Sequence, residues 1–70
     1  MKKIIVFESI HFTIKADSLL QVLGLEYQIV TTPREISSDC GMSIETKEEH
    51  FAIIHEFLIK NEFKIKVFEL

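Results

Sequence analysis

The chain has 70 residues, a net charge of −3 and a hydrophobic fraction of 47%. A chain of this length forms one small domain, residues 1–70, which buries only about 60% of the surface that its unfolded form exposes. The negative charge disfavours a nucleic-acid partner, because phosphates are bound by basic surfaces. No segment reaches the roughly 20 apolar residues that span a bilayer, so we expect no membrane association either.

The sequence lacks the usual patterns of disulfides, metal sites and export. Cys40 is the one cysteine, so no disulfide can form within the chain, and the three histidines, His11, His50 and His55, lack the paired spacing of zinc ligands. We therefore predict no metal and no cofactor. The apolar run near the N-terminus is too short for a secretory signal, and with an unpaired thiol we expect a cytoplasmic location.

The first half of the chain predicts a strand, a helix and a second strand. Ile4–Phe7 is a continuous apolar run, typical of an interior strand that is covered on both faces. Apolar residues at helical spacing then predict a helix over 10–23, with Ser9 as its N-cap and Gly24 as a left-handed stop. Glu26–Thr31 alternates and is rich in β-formers, which predicts the second strand.

The second half repeats this pattern in the order strand, helix, strand. Met42–Thr46 alternates and predicts the third strand, and Thr46 with Glu49 matches a capping box that would begin the second helix. An apolar stripe follows, and Asn61 can terminate the helix. The alternation in Phe63–Val67 predicts the last strand.

The order β-α-β-β-α-β predicts an α+β, ferredoxin-like sandwich: a four-stranded antiparallel sheet in the order 4-1-3-2 with two helices on one face. The other face would expose part of the first strand and Phe68 beside lysine stems. A partly apolar open face on a small domain predicts a homodimer through that face or a strand edge. The alternative is a monomer whose lysine side chains cover the apolar atoms.

The segment between the second and third strands, Thr32–Gly41, is longer than a typical hairpin loop, and such length often indicates function. Thr32 and Glu35 can form a capping box around Pro33, which predicts one helical turn over Pro33–Ser38. Gly41 would permit a left-handed or closely approached backbone. We therefore expect an ordered loop.

The predicted topology places this loop at the same end of the molecule as the start of the first helix. That end would bring Ser9, His11 and the first helical amides beside Arg34 and Cys40. A helix N-terminus and a nearby cation stabilise a thiolate, whereas an ordinary cysteine is only about 3% thiolate at pH 7. Asp39, next to Cys40, would oppose this stabilisation.

Each of these residues also has a structural interpretation. A lone cysteine at the start of a strand is commonly a small buried hydrophobe. His11 would be a surface residue, and Arg34 would form an ion pair with a neighbouring carboxylate. Ser37 and Ser38 suit turn capping, because no Ser-His-Asp arrangement can be derived. No complete catalytic set is visible, so an enzyme is not predicted.

The loop Thr32–Gly41, TPREISSDCG, closely resembles the signature of a small bacterial family of unknown function described as selenium/sulfur carrier-like. The segment Phe7–Asp17 is similar to that family's pattern of Phe, Ser, His and Lys-Ala-acidic residues, and the resemblance covers essentially the whole chain. The chain departs from the family at Phe12, where a second histidine is frequent, and at Thr13, where small residues are frequent. These departures weaken any role for a histidine pair.

The resemblance implies a carrier thiol, Cys40, that holds sulfur or selenium as a persulfide or selenosulfide and exchanges it with donor and acceptor proteins. The candidate binding residues around it are Arg34, Ser37, Ser38, Ser9, His11 and Gly41. The alternative is a regulatory module of a ferredoxin-like dimer that binds a small anion or metabolite between Arg34 and the helix amides. Redox sensing through an intermolecular disulfide is a third hypothesis, and a copper chaperone is disfavoured because paired cysteines are missing.

Overall fold

The computed structural model describes residues 2–36 and 41–69. The order of the elements is β-α-β-β-α-β, as predicted, with a short 3-10 turn after the first helix. The elements are β1 (Lys2–Phe7), α1 (Ile10–Leu20), the 3-10 turn (Gln21–Leu23), β2 (Gln28–Thr31), β3 (Met42–Lys47), α2 (Glu48–Lys60) and β4 (Ile65–Glu69).

The strands form one antiparallel sheet in the order β2-β3-β1-β4. This is the predicted order read from the opposite edge, and it confirms the ferredoxin-like arrangement. Strand β1 is interior: Ile5 pairs with Ile44 of β3 on one side and with Val67 of β4 on the other. Its continuous apolar run is explained by this position, because side chains on both faces of β1 are buried.

Both helices cover one face of the sheet, and the main core lies between the two layers. Strand β1 contributes Ile5 and Phe7 to this core, and the ring of Phe7 meets that of Phe63 edge-on at 5.7 Å. The other buried members are Ala16, Leu20, Ile44, Ile54 and Leu58. Phe63 was predicted to begin the last strand. Instead its amide donates to the carbonyl of Leu58 and closes the end of α2, so β4 begins at Ile65.

Of the predicted helix ends, the stop at Gly24 is confirmed and the start of the second helix is not. Gly24 has the predicted left-handed backbone (φ 66°) and ends the 3-10 turn. The capping box at Thr46 is wrong: Lys47 is the N-cap of α2 and forms no side-chain cap. Thr46 pairs with Lys3 within the sheet and is buried, so its place in β3 prevents it from capping the helix.

The predicted second strand begins two residues late, because its first residues serve another contact. The hydroxyl of Tyr27 donates to the Oδ1 of Asp17 at 2.6 Å and also lies 3.0 Å from the carbonyl of Asp17. Burial, then the bond to the Asp17 carboxylate, raises the pKa of Tyr27 to about 12. This contact ties α1 to the segment that leads into β2.

The second face of the sheet is covered by no helix, and we call it the uncovered face. Ile4 and Val6 lie there, yet only 2% and 6% of their surfaces are exposed, because Ile36 from the loop and Phe68 from β4 pack on them. The expectation that β1 exposes apolar atoms on this face is therefore wrong. Among the described residues, the exposed large apolar side chains lie instead in the helical layer: Ile10, Phe12, Ile14, Val22, Ile53 and Ile59.

Candidate functional site

The loop that follows β2 is closed at its base by a backbone hydrogen bond. The amide of Thr32 donates to the carbonyl of Gly41 at 3.1 Å. These two residues lie directly beyond the last pair of β2 and β3, Thr31 with Met42. Within the loop, the amide of Ile36 donates to the carbonyl of Pro33 at 3.0 Å. The start of the predicted turn is thus confirmed, while its remainder, Ser37 and Ser38, lies outside the described residues.

The side chain of Thr32 has a different role from the predicted one. Its hydroxyl hydrogen-bonds to the hydroxyl of Ser43, and both side chains are buried. Thr32 therefore faces the sheet and does not form the predicted capping box with Glu35. A hydroxyl that is removed from water needs such a partner, because an unsatisfied one is costly.

The middle of the loop is held by an apolar contact. Ile36 packs on the pair formed by Ile4 and Val6 on the uncovered face. This contact holds residues 32–36 against the uncovered face, and the bond between Thr32 and Gly41 joins the two ends of the loop. A single isoleucine in an otherwise polar stretch agrees with such an anchor, but this pattern does not specify the residues on which it packs.

The first residues of β3 are also held from the helical side. The hydroxyl of Thr13 donates to the carbonyl of Met42 at 3.0 Å and lies 3.4 Å from the carbonyl of Ser9. Thr13 is buried, and its contacts connect the first turn of α1 with the chain that leaves the loop. The prediction that the helix start and the loop share one end of the molecule is thereby confirmed.

Four of the sequence-predicted site residues lie within the described part of the chain. Ser9 occupies the N-cap position of α1, but its side chain makes no capping bond; its carbonyl accepts the amides of Phe12 and Thr13. His11 is exposed, with its ring 5.4 Å from the Phe12 ring. Arg34 is exposed on the loop.

The fourth residue, Gly41, does not have the predicted backbone. Among the described glycines only Gly24 has a positive φ, and a Cβ added to Gly41 would meet no atom within 4 Å. The expectation of a left-handed or closely approached backbone at Gly41 is therefore wrong, and its carbonyl instead closes the loop. The proposed thiol, Cys40, and its neighbour Asp39 lie outside the described residues.

The sequence analysis missed three residues that shape this end of the molecule: Thr13, Ser43 and Ile36. A threonine on the buried side of a helix and a serine in a buried strand both need hydrogen-bond partners. Neither pattern says which backbone or side-chain group that partner is, because the contacts are non-local. Thr13 was noticed only as a departure from the family pattern.

The fold and this loop define an α+β protein with a two-layer sandwich and a connection anchored at both ends. The family model described as "Putative Se/S carrier protein-like" matches residues 2–68 of the chain. The protein therefore belongs to this family, as the resemblance in the sequence indicated. Comparisons with curated proteins and with solved structures gave no match. Within residues 2–36 and 41–69, no helix is long and apolar enough to cross a membrane.

Proposed function

We propose that the protein is a non-enzymatic carrier in which Cys40 holds a sulfur or selenium atom between a donor protein and an acceptor protein. The observation that carries this proposal is the family match over residues 2–68. Cys40 is also the one thiol of the chain, and it directly precedes Gly41, whose carbonyl is bonded to Thr32. Such a carrier needs no cofactor, and its thiol needs the reducing conditions of the cytoplasm.

The transfer is a thiol exchange without net oxidation. The Cys40 thiolate attacks the terminal sulfur of a donor persulfide, and a new S–S bond forms as the donor S–S bond breaks. The electron pair of the broken bond leaves on the donor thiolate, which takes up the proton that Cys40 released. Passing the atom to an acceptor thiolate repeats this exchange in the opposite sense, and selenium follows the same steps.

The anchored loop supports this chemistry through its position. The contact between Thr13 and Met42 brings the first turn of α1 near the chain that follows Cys40, and a helix N-terminus carries a partial positive charge. The exposed guanidinium of Arg34 at this end would add to it, and the exposed His11 lies at the start of the same helix. We propose that this charge favours the thiolate, with Ser9, Ser37, Ser38 and Gly41 completing the binding residues.

The test is intact mass spectrometry of protein purified without reductant. We expect a fraction that is heavier by one sulfur or selenium atom, which is lost on treatment with a thiol reductant. The Cys40→Ser variant is the matched control and should carry no adduct. An adduct that persists in this variant, or a wild-type thiol that alkylates no faster than a free-cysteine peptide at mildly acidic pH, would contradict the carrier function.

An anion-binding module is the second candidate, and one observation favours it. The side chain of Ser9 does not cap α1, so the first helical amides receive no side-chain acceptor from it, and the exposed Arg34 lies at the same end. Equilibrium binding of inorganic phosphate separates the two functions. The module predicts binding that Arg34→Ala abolishes and Cys40→Ser leaves intact, whereas the carrier depends on Cys40.

Homodimer formation is a further part of the proposal. A domain of this size gains stability by association, and the exposed apolar side chains, such as Ile14 at 58% and Val22 at 78%, lie in the helical layer. Association through this layer or through an edge strand fits these positions better than association through the uncovered face. Light scattering coupled to size-exclusion chromatography measures the mass, and a monomer at all concentrations would contradict the dimer.

A further inference from the structure

Buried hydroxyl groups are concentrated at one end of β3. Four polar side chains among the described residues are buried: Thr13, Thr32, Ser43 and Thr46. The hydroxyls of Thr13, Thr32 and Ser43 make their hydrogen bonds at Met42 and Ser43, the first residues of β3 after the loop. Thr46 lies near the last residue of this strand. Burying a hydroxyl is costly unless it is hydrogen-bonded. The partners of these groups therefore show what each hydroxyl holds in place.

The three hydroxyls hold two consecutive residues of β3 from opposite faces of the sheet. Thr13 bonds to the carbonyl of Met42 from the helical layer. Thr32 bonds to the side chain of Ser43, which lies on the uncovered face because neighbouring side chains of a strand alternate and Ile44 points into the main core. With the bond from Thr32 to Gly41 as a third tether, the path of the chain over Gly41 to Ser43 is fixed in position and direction.

Stability alone would not select hydroxyls at these positions. At Thr32 and Ser43, apolar side chains of similar shape would fill the same space without a desolvation cost, and replacing both partners of such a buried side-chain pair by apolar groups can be nearly neutral. What apolar packing lacks is direction: a hydrogen bond requires both a distance and an angle, whereas hydrophobic contact does not. These hydroxyls therefore serve to place the chain accurately.

We infer that Thr13, Thr32 and Ser43 are positioning residues that hold the chain next to Cys40 and so keep the carrier thiol in its reactive setting. This inference rests on the proposed carrier function and deepens it. None of the three needs to touch the transferred atom. They act through the backbone of Gly41 and Met42, the residues that follow Cys40.

The test removes the hydroxyls without removing their bulk. Thr13→Val removes the hydroxyl that bonds to the carbonyl of Met42, and the double variant Thr32→Val/Ser43→Ala removes both partners of the other bond, so that neither of these two side chains is left buried and unpaired. Thr46→Val is the matched control: Thr46 is equally buried on the same strand, but its hydroxyl reaches only the carbonyl of Lys47, at 3.3 Å, away from the loop. Thr13→Ser retains the hydroxyl and should restore wild-type behaviour.

The readout is the rate of Cys40 alkylation as a function of pH, measured together with thermal unfolding. We expect Thr13→Val and the double variant to alkylate at least about threefold more slowly at pH values below the pKa of the thiol, since there a rise of about 0.5 in this pKa lowers the thiolate fraction by that factor. Thr46→Val should keep the wild-type pH profile of alkylation, even if its melting temperature falls by as much as those of the other variants. This contrast separates positioning from a general loss of stability.

The outcomes distinguish the inference from the function on which it rests. An activated wild-type thiol whose pH profile is unchanged in both hydroxyl variants would overturn the inference and leave the carrier function standing. A wild-type thiol that alkylates like free cysteine would overturn both. If Thr13→Val does not fold, the double variant alone carries the same expectation, and an unchanged profile there overturns the inference.

Discussion

The two faces of the sheet are covered in different ways. Between the helices and the sheet, eight buried side chains of the described residues pack together; they come from β1, β3, both helices and Phe63, which precedes β4. On the uncovered face, Ile4 and Val6 are shielded by Ile36 and Phe68, which are themselves only partly buried. The first face is thus supported by many elements and the second by one loop and one edge strand, so the faces should respond differently to the same substitution.

Substitutions of two neighbouring isoleucines in β1 should show this difference with the largest effect on stability. Ile5 points to the helices and Ile4 to the uncovered face, and both are almost fully buried, with 0% and 2% of their surfaces exposed. We expect Ile5→Ala to lower the free energy of unfolding by about 4 kcal/mol and Ile4→Ala by about 2 kcal/mol. The loop can collapse into the space left at Ile4, whereas the packed helices cannot do so at Ile5.

Chemical denaturation of the two variants measures these changes, and the matched chemistry of the substitution makes each the control for the other. Equal losses would mean that the loop is as rigid as the helical layer. A larger loss for Ile4→Ala would contradict the comparison outright.

Removing the anchor of the loop should have a smaller and more local effect. Ile36→Ala deletes the contact with Ile4 and Val6, and because Ile36 is only partly buried we expect a loss of about 1 kcal/mol. Amide hydrogen exchange should accelerate at Thr32, whose bond to Gly41 closes the loop.

The amide of Phe63, bonded to Leu58 on the helical side, is the internal reference for that experiment. Its exchange should change only by the amount that the global loss of stability dictates. Equal acceleration at Phe63 and Thr32 beyond that amount would show that Ile36 supports the whole fold and not the loop.

The same difference between the faces explains how far the sequence could be interpreted. Strand β1 and the helices follow from the periodicity of apolar residues, and the strand order follows from the succession β-α-β-β-α-β that these elements form. The capping box at Thr46 failed since its place in the sheet outweighed a local preference. The roles of Ile36 and Thr13 depend on partners far along the chain, which no local pattern specifies.

The candidate site was foreseen in part for the same reason. The shared end of the helix start and the loop follows from topology and is confirmed by the bond from Thr13 to Met42. His11 is exposed, as its structural interpretation predicted, whereas the exposure of Arg34 could not be derived, because it depends on how the loop folds against the sheet. The reactivity of Cys40 stays a prediction, which the alkylation and mass measurements decide.

An effect on stability as small as that of Ile36→Ala is expected from a polar contact on the helical side. Tyr27→Phe removes the hydroxyl that donates to Asp17 and should lower the free energy of unfolding by about 1 kcal/mol, less than the loss of a core isoleucine.

The pH dependence gives the clearer result. The pKa of Tyr27 rises from 10.0 to about 12 in the folded protein, so the folded state retains the phenol proton longer than the unfolded state. The stabilisation is therefore complete below pH 10 and is lost as the pH rises from there to about 12. Tyr27→Phe should flatten that alkaline loss in denaturation experiments, with wild type as the reference. An equally steep loss in the variant would assign the alkaline sensitivity to other groups and show that this contact adds little to a face already held by apolar packing.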